Sequence, residues 1–166
     1  GSEMCIRDRF VAKHVPAAEF IKFDNVSPAV DKEGGAITLT GKSNTSKIIF
    51  SKGAGDIIAA DISAIQFQAN GSNATSGTAI SGDPGAKAKY AFSLTLTAAA
   101  NETIESRTQQ IIATANGGQK ATATLSQTAG DPFIEVTPIT IDVPQDGTAV
   151  QVTVDTNTTF TVTPKA

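Results

Sequence analysis

Residues 90–97 read Tyr-Ala-Phe-Ser-Leu-Thr-Leu-Thr, and this stretch decides the fold class. Large apolar residues alternate with small or polar ones over its whole length. Such a two-residue period is typical of a strand that has one face in a core and the other in solvent. The shared inner face should carry Tyr90, Phe92, Leu94 and Leu96. We therefore take this stretch as a central strand of a β-protein.

The same period recurs on both sides of this strand. Upstream strands are predicted at 36–40, 47–50 and 65–69, and downstream strands at 110–115 and 121–127. Between the last two, Asn116-Gly117 predicts a tight hairpin, because such a turn needs positive φ. Residues 56–62 fit either a helical turn or a strand. Together these segments predict an all-β, immunoglobulin-like antiparallel β-sandwich over residues 20–130, with little helix.

The opening of this module recurs near the end of the chain. The matching segments are Phe20-Ile21-Lys22 with Phe133-Ile134-Glu135, Val26-Ser27-Pro28 with Val136-Thr137-Pro138, and Ser43-Asn44-Thr45 with Thr156-Asn157-Thr158. The offset of roughly 110 residues suits tandem domains, and Asp131-Pro132 marks the boundary, since Pro cannot continue a central strand. We expect a foreign, disordered tail at 1–15, a sandwich at 16–131, and at 132–166 the start of an incomplete second β domain.

Three short motifs point to a family. The closing strand Thr124–Gly130 is similar to a T-x-x-Q-x-x-G strand and exit, and Val136-Thr137-Pro138 with 150–154 is similar to a first hairpin. Asn157-Thr158-Thr159-Phe160 places an aromatic residue after an Asn. In these features the chain resembles the BACON family of Bacteroidetes-associated immunoglobulin-like domains. Two features of the first copy depart from it, since Lys47 replaces the aromatic residue and segment 53–88 is long. The resemblance implies an extracellular or cell-surface β-sandwich of a bacterium or its phage, and a carbohydrate-binding role.

Composition argues against several functions. The net charge is −3 with no basic stripe, which disfavours nucleic-acid binding. No apolar run approaches the roughly 20 residues that cross a bilayer. A single His and a single Cys leave neither a Ser-His-Asp triad nor a multi-Cys metal site. We predict that the chain is not an enzyme and that it has no cofactor.

Acidic residues leave two alternatives open. A pair for glycoside hydrolysis could be drawn from Asp56, Asp61 and Asp83, although we favour loop carboxylates that cap turns. Oxygen ligands for calcium could come from Asp24, Asn25 and Asp31, but no stretch has the alternating ligands of a calcium loop. The sequence therefore leaves a calcium site open, and we assign no metal-binding residue.

Two functions compete. One is a structural spacer or binding module in a multidomain surface protein, whose partners are neighbouring domains of the same polypeptide. The other is a glycan- or mucin-binding adhesion module, bacterial or part of a phage virion. The chain has no Trp and one Tyr, and this scarcity of aromatic platforms favours the spacer. If a glycan binds, the candidate residues are Asn44, Asn73, Asp83 and Tyr90.

Overall fold

The computed structural model describes residues 18–82 and 89–165, and within them every regular element is a β-strand. The strands are β1 Ile21–Phe23, β2 Ala29–Val30, β3 Gly35–Ser43, β4 Ile48–Gly55, β5 Gln66–Ala69, β6 Ser72–Thr75, β7 Tyr90–Ala98, β8 Arg107–Ala115, β9 Lys120–Gln127, β10 Ile134–Thr137 and β11 Thr153–Thr156. The predicted all-β class is confirmed. The expected tail at 1–15 and Asp83 lie outside the described residues.

Nine of these strands form two sheets of a sandwich. One sheet has the order β1-β3-β7-β5-β6 and the other β2-β9-β8-β4. Neighbouring strands are antiparallel except for β2, which runs parallel to β9 and pairs Ala29 with Ser126. The predicted immunoglobulin-like sandwich is confirmed, with this one parallel pair as an addition that alternation alone could not indicate.

The core lies between the two sheets. Residues alternate between buried and outward positions along β7, and Tyr90, Phe92, Leu94 and Leu96 face inward as predicted. The ring of Phe50 on β4 packs edge-on against Phe67 at 5.0 Å between centroids and lies 6.1 Å from Phe92. Because β4 belongs to one sheet and the other two rings to the opposite sheet, this cluster joins the halves of the sandwich.

Residues 56–62 form neither the helical turn nor the strand that the sequence left open. They are an irregular segment that nonetheless buries Ile57, Ile58 and Ile62. Its backbone is held by Gln109, a buried residue of β8. The Gln109 Oε1 atom accepts the N–H groups of Ile57 at 2.7 Å and Ile58 at 2.5 Å. Lys52 Nζ donates to the carbonyls of Ile58 at 3.0 Å and Ala59 at 3.3 Å. Two side chains thus take the place of part of the ladder that a strand would have provided.

The chain contains two Asn-Gly turns that differ in geometry. The β8–β9 hairpin exists as predicted, but its positive φ is at Gly118 (93°) rather than at Asn116 or Gly117. The expected turn geometry was therefore wrong, because residues 116–119 make a longer loop than a two-residue turn. Between β5 and β6, by contrast, Asn70 (51°) and Gly71 (76°) both have positive φ. Only this second turn has the tight geometry that Asn-Gly favours.

β10 and β11 form a separate two-stranded antiparallel sheet. Its register repeats that of β1 and β3. Ile134 pairs with Thr156 as Ile21 pairs with Ser43, so each residue number is raised by 113. The repeat read from the sequence is therefore also a repeat of backbone pairing, although the strands do not include residues 139–143. One matched segment was wrong, because the register makes Val136 the counterpart of Phe23 rather than of Val26.

Candidate functional site

The connection from β9 to β10 lies close against the sandwich. The Gly130 N–H donates to the Thr103 carbonyl at 2.7 Å, and Lys32 Nζ forms an ion pair with Asp131 Oδ2 at 2.6 Å. A Cβ on Gly130 would lie 2.2 Å from the Asn101 carbonyl oxygen. This close approach requires glycine and keeps the connection on the surface of the sandwich.

Asn157, directly after β11, bridges the sandwich of β1–β9, here called the first unit, and the β10–β11 sheet with the residues that follow it, called the second unit. Its Oδ1 atom accepts the Phe133 N–H at 3.0 Å. Its Nδ2 atom donates to two carbonyls at 2.8 Å, that of Asp131 in the connection and that of Glu102 in the sandwich. Because both amide protons are used, the side chain fixes the end of β11 to the connection and to the loop between β7 and β8.

The first unit contains the same arrangement. Asn44 Oδ1 accepts the Phe20 N–H at 2.8 Å, and its Nδ2 atom donates to the Ala18 carbonyl at 3.0 Å. The preceding Ser43 hydroxyl donates to the Phe20 carbonyl at 2.7 Å.

In the second unit the matching hydroxyl is that of Thr156, which donates to the Phe133 carbonyl at 2.7 Å. Every residue of the second arrangement lies 113 positions after its counterpart, as Asn157 follows Asn44. What the second unit adds is the bond from Asn157 to the Glu102 carbonyl.

Two of the residues proposed as glycan ligands lie together inside the sandwich. Tyr90 pairs with Ser43 across the sheet, next to Asn44. Its hydroxyl donates to the Thr45 carbonyl at 2.8 Å, and burial raises the pKa of Tyr90 to about 12. Both side chains are buried and bond to the chain's own backbone. A ligand role for either stays a prediction.

Asn73 lies apart from them, on the outer face of the five-stranded sheet. There it borders an open recess of about 170 Å³. The polar residues around the recess are Gln66, Gln68, Asn73, Ser93 and Thr95. The Gln68 amide donates to Asn73 Oδ1, while the ring of Phe67 is buried in the core below. Sequence reasoning missed the other four, because the alternation gives their face but not which strands are neighbours.

Two of the described carboxylates, Asp61 and Asp146, show turn-capping geometry. Hydrogen bonds from the backbone N–H and hydroxyl of Ser63 lower the pKa of Asp61. Asp146 has a lowered pKa for the same kind of reason, with the Thr148 hydroxyl as the main donor. Within residues 18–82 and 89–165 no three His, Cys, Asp or Glu side chains are close enough to hold a metal ion. That part of the chain also has no helix able to span a membrane.

Comparisons with known proteins give weak likenesses. No protein-family model and no curated protein matches the chain. Among solved structures, a Bacteroides ovatus GH5 xyloglucanase in complex with a XXXG heptasaccharide is 13% identical over 68% of this chain and 19% of its own, with a TM-score of 0.40. The calcium binding domain CBD12 of CALX1.1 is 12% identical over 68% and 45%, also at 0.40.

A protein from Bacteroides thetaiotaomicron is 15% identical over 70% of this chain and 87% of its own, with a TM-score of 0.33. The chain spans less than half the length of the first two structures. Two of these three structures are of Bacteroides proteins. At these TM-scores the likenesses carry no argument about function, and membership of the BACON family stays a prediction.

Proposed function

We propose that this chain is a non-catalytic β-sandwich module of an extracellular or cell-surface protein, and that it spaces successive domains at a fixed orientation. The observation that carries the proposal is the Asn157 side chain, which bonds the Glu102 carbonyl of one unit and the Asp131 carbonyl of the connection. The extracellular location rests on the resemblance to the BACON family.

The contacts at the junction suit orientation rather than tight binding. A hydrogen bond contributes about 0.5–1.5 kcal/mol net, and the ion pair of Lys32 with Asp131 contributes little because solvent screens it. What limits motion is their placement on a very short connection that includes Gly130, in contrast to a flexible Gly/Ser linker. Such a junction fixes the orientation of one domain relative to the next, although its contacts contribute little free energy.

The test measures the distance between the two units. Nitroxide labels at exposed Lys120 and Thr148 are introduced into a Cys5→Ser background, and the distance distribution is recorded by pulsed electron resonance. In Asn157→Asp the carboxylate can no longer donate to either carbonyl and repels both, so the distribution should broaden. Asn25→Asp, at an exposed turn position that uses only its side-chain oxygen as an acceptor, is the matched control. A distribution already broad in the unsubstituted chain, or unchanged in Asn157→Asp, would refute the spacer function.

A second candidate is weak glycan binding at the recess around Asn73. The recess offers amide and hydroxyl groups that can bond to sugar hydroxyls, although the side chains that border it include no exposed ring. Chemical-shift titration with a panel of soluble glycans tests this function. Saturable shifts at Gln68 and Ser93 that disappear in Asn73→Ala would support it, and a panel without shifts would exclude it for those glycans.

A further inference from the structure

One face of the second unit is apolar and open. Six side chains border a groove on it: Ile134, Val136, Val152, Val154, Phe160 and Val162. Ile134 is 55% exposed and Phe160 48%. Contiguous apolar surface of this kind marks a contact that is made with something else.

In the first unit, the equivalent surface is buried. Ile134, Val136 and Val152 correspond, at the offset of 113, to Ile21, Phe23 and Leu39, all of which are core residues at most 8% exposed. The same positions of one repeated pattern are thus buried in one unit and exposed in the other.

What covers the positions in the first unit is the remainder of the sandwich. β7 continues their sheet beside β3, and the opposite sheet contributes Ile111, Ala113 and Leu125 from β8 and β9 to the same core. All of these strands lie between residues 46 and 130.

We propose that the open face of the second unit receives a segment equivalent to residues 54–130, supplied by further polypeptide of the same protein, and so completes a second sandwich. An apolar groove with this residue pattern matches the inner side of a β-sheet rather than a sugar. A second copy of the chain is a poorer occupant, because its own β4–β9 already cover its first unit and it could offer only a two-stranded sheet. The proposal does not depend on how stiff the junction is.

One difference between the units defines what the incoming segment must look like. Phe23 pairs with Gly41 in the first unit, whereas Val136 pairs with Val154 in the second. A Cβ at Gly41 would lie 2.3 Å from the ring of Phe92 on the neighbouring strand. The residue that takes the place of Phe92 in the second sandwich must therefore be smaller.

The experiment extends the whole chain. Residues 54–130 are repeated after Ala166, the counterpart of Gly53 at the offset of 113, with Phe92→Val in the repeat, so that Phe160 and Val162 stay in place. Compared with the chain of 166 residues, we expect a large loss of binding of a fluorescent apolar dye. We also expect exchange of the Val152 and Val154 amide protons to slow by about tenfold or more, as in newly formed core strands. A matched extension with Val136→Asp should show neither change.

A second variant keeps the test decisive if the extension itself folds poorly. In the full chain, residues 18–45 are replaced by a copy of residues 131–158, again with Phe92→Val. Cooperative unfolding of this hybrid would show that strands β4–β9 accept the second unit's face. The proposal is overturned if dye binding and exchange are unchanged in the extension and the hybrid fails to fold. It is also overturned if the unextended chain forms a dimer in sedimentation that protects Val152 and Val154, since the occupant would then be a second copy.

Discussion

Replacing Gln109 with Met should remove the one side chain that accepts backbone N–H groups of segment 56–62 in the described part of the chain, while Lys52 still donates to the carbonyls of Ile58 and Ala59. The two side chains are similar in length, so the change deletes an acceptor without opening a large cavity. Two buried backbone donors, the N–H groups of Ile57 and Ile58, then lose the atom that they contact at 2.7 and 2.5 Å. An unsatisfied buried donor costs about 1–3 kcal/mol, so the expected loss in the free energy of unfolding is about 2–6 kcal/mol.

This loss is a large part of the roughly 5–15 kcal/mol that stabilises a domain. It is measured by urea titration followed by circular dichroism. Gln110→Met is the matched control, since Gln110 is the next residue of β8 and is exposed, and it should change stability by less than about 0.5 kcal/mol. If the two variants unfold at the same urea concentration, the Gln109 amide does not hold the segment and the reasoning is refuted.

Three further outcomes are expected. Gly118→Val should cost about 1–2 kcal/mol in a denaturant titration because Gly118 has positive φ, and should exceed the cost of Gly117→Val; the reverse order would contradict the turn described here. The tyrosinate absorbance of Tyr90, the only tyrosine, should titrate near pH 12. The neutral Tyr90 hydroxyl therefore contributes fully to stability below about pH 10, the pKa of an exposed tyrosine, and this contribution is lost as the pH rises towards 12. A midpoint near pH 10 would show that the hydroxyl is exposed. In thermal unfolding of the sandwich, Phe23→Ala should lower the free energy of unfolding by about 3–5 kcal/mol. Val136→Ala, at the matching but open position, should lower it by less than about 0.5 kcal/mol. Similar losses in the two variants would mean that the open face already packs into the core.

Local patterns predicted the strands well. The alternation at 90–97 placed four of the five inward residues of β7, because side chains of an extended chain point to opposite faces in turn. The fifth, Ala98, lies one residue beyond that stretch. The repeat was visible for a related reason, since equivalent strands and turns need equivalent residues. Asn157 was part of the motif from which the resemblance was drawn, yet nothing in the sequence indicated that it bonds to the Glu102 carbonyl.

The candidate sites were less predictable. Asn73 was named from the polarity of its loop, but the recess around it brings together residues from three strands. Asn44 was named for the same reason and lies buried, with its amide bonded to the backbone. Polarity shows that a side chain can form hydrogen bonds and does not show whether its partner is solvent, a ligand or the chain itself.

What the sequence by itself determined, then, is the all-β class, the inward faces of the long strands and the repeated opening, since these depend on neighbours within a few residues. Only the tertiary structure decided that β2 runs parallel to β9, that Gln109 supports Ile57 and Ile58, and that the turn after β8 has its positive φ at Gly118. Those features depend on which distant segments meet when the two sheets close on each other. That closure is driven by burial of apolar surface, which has magnitude but no direction along the chain.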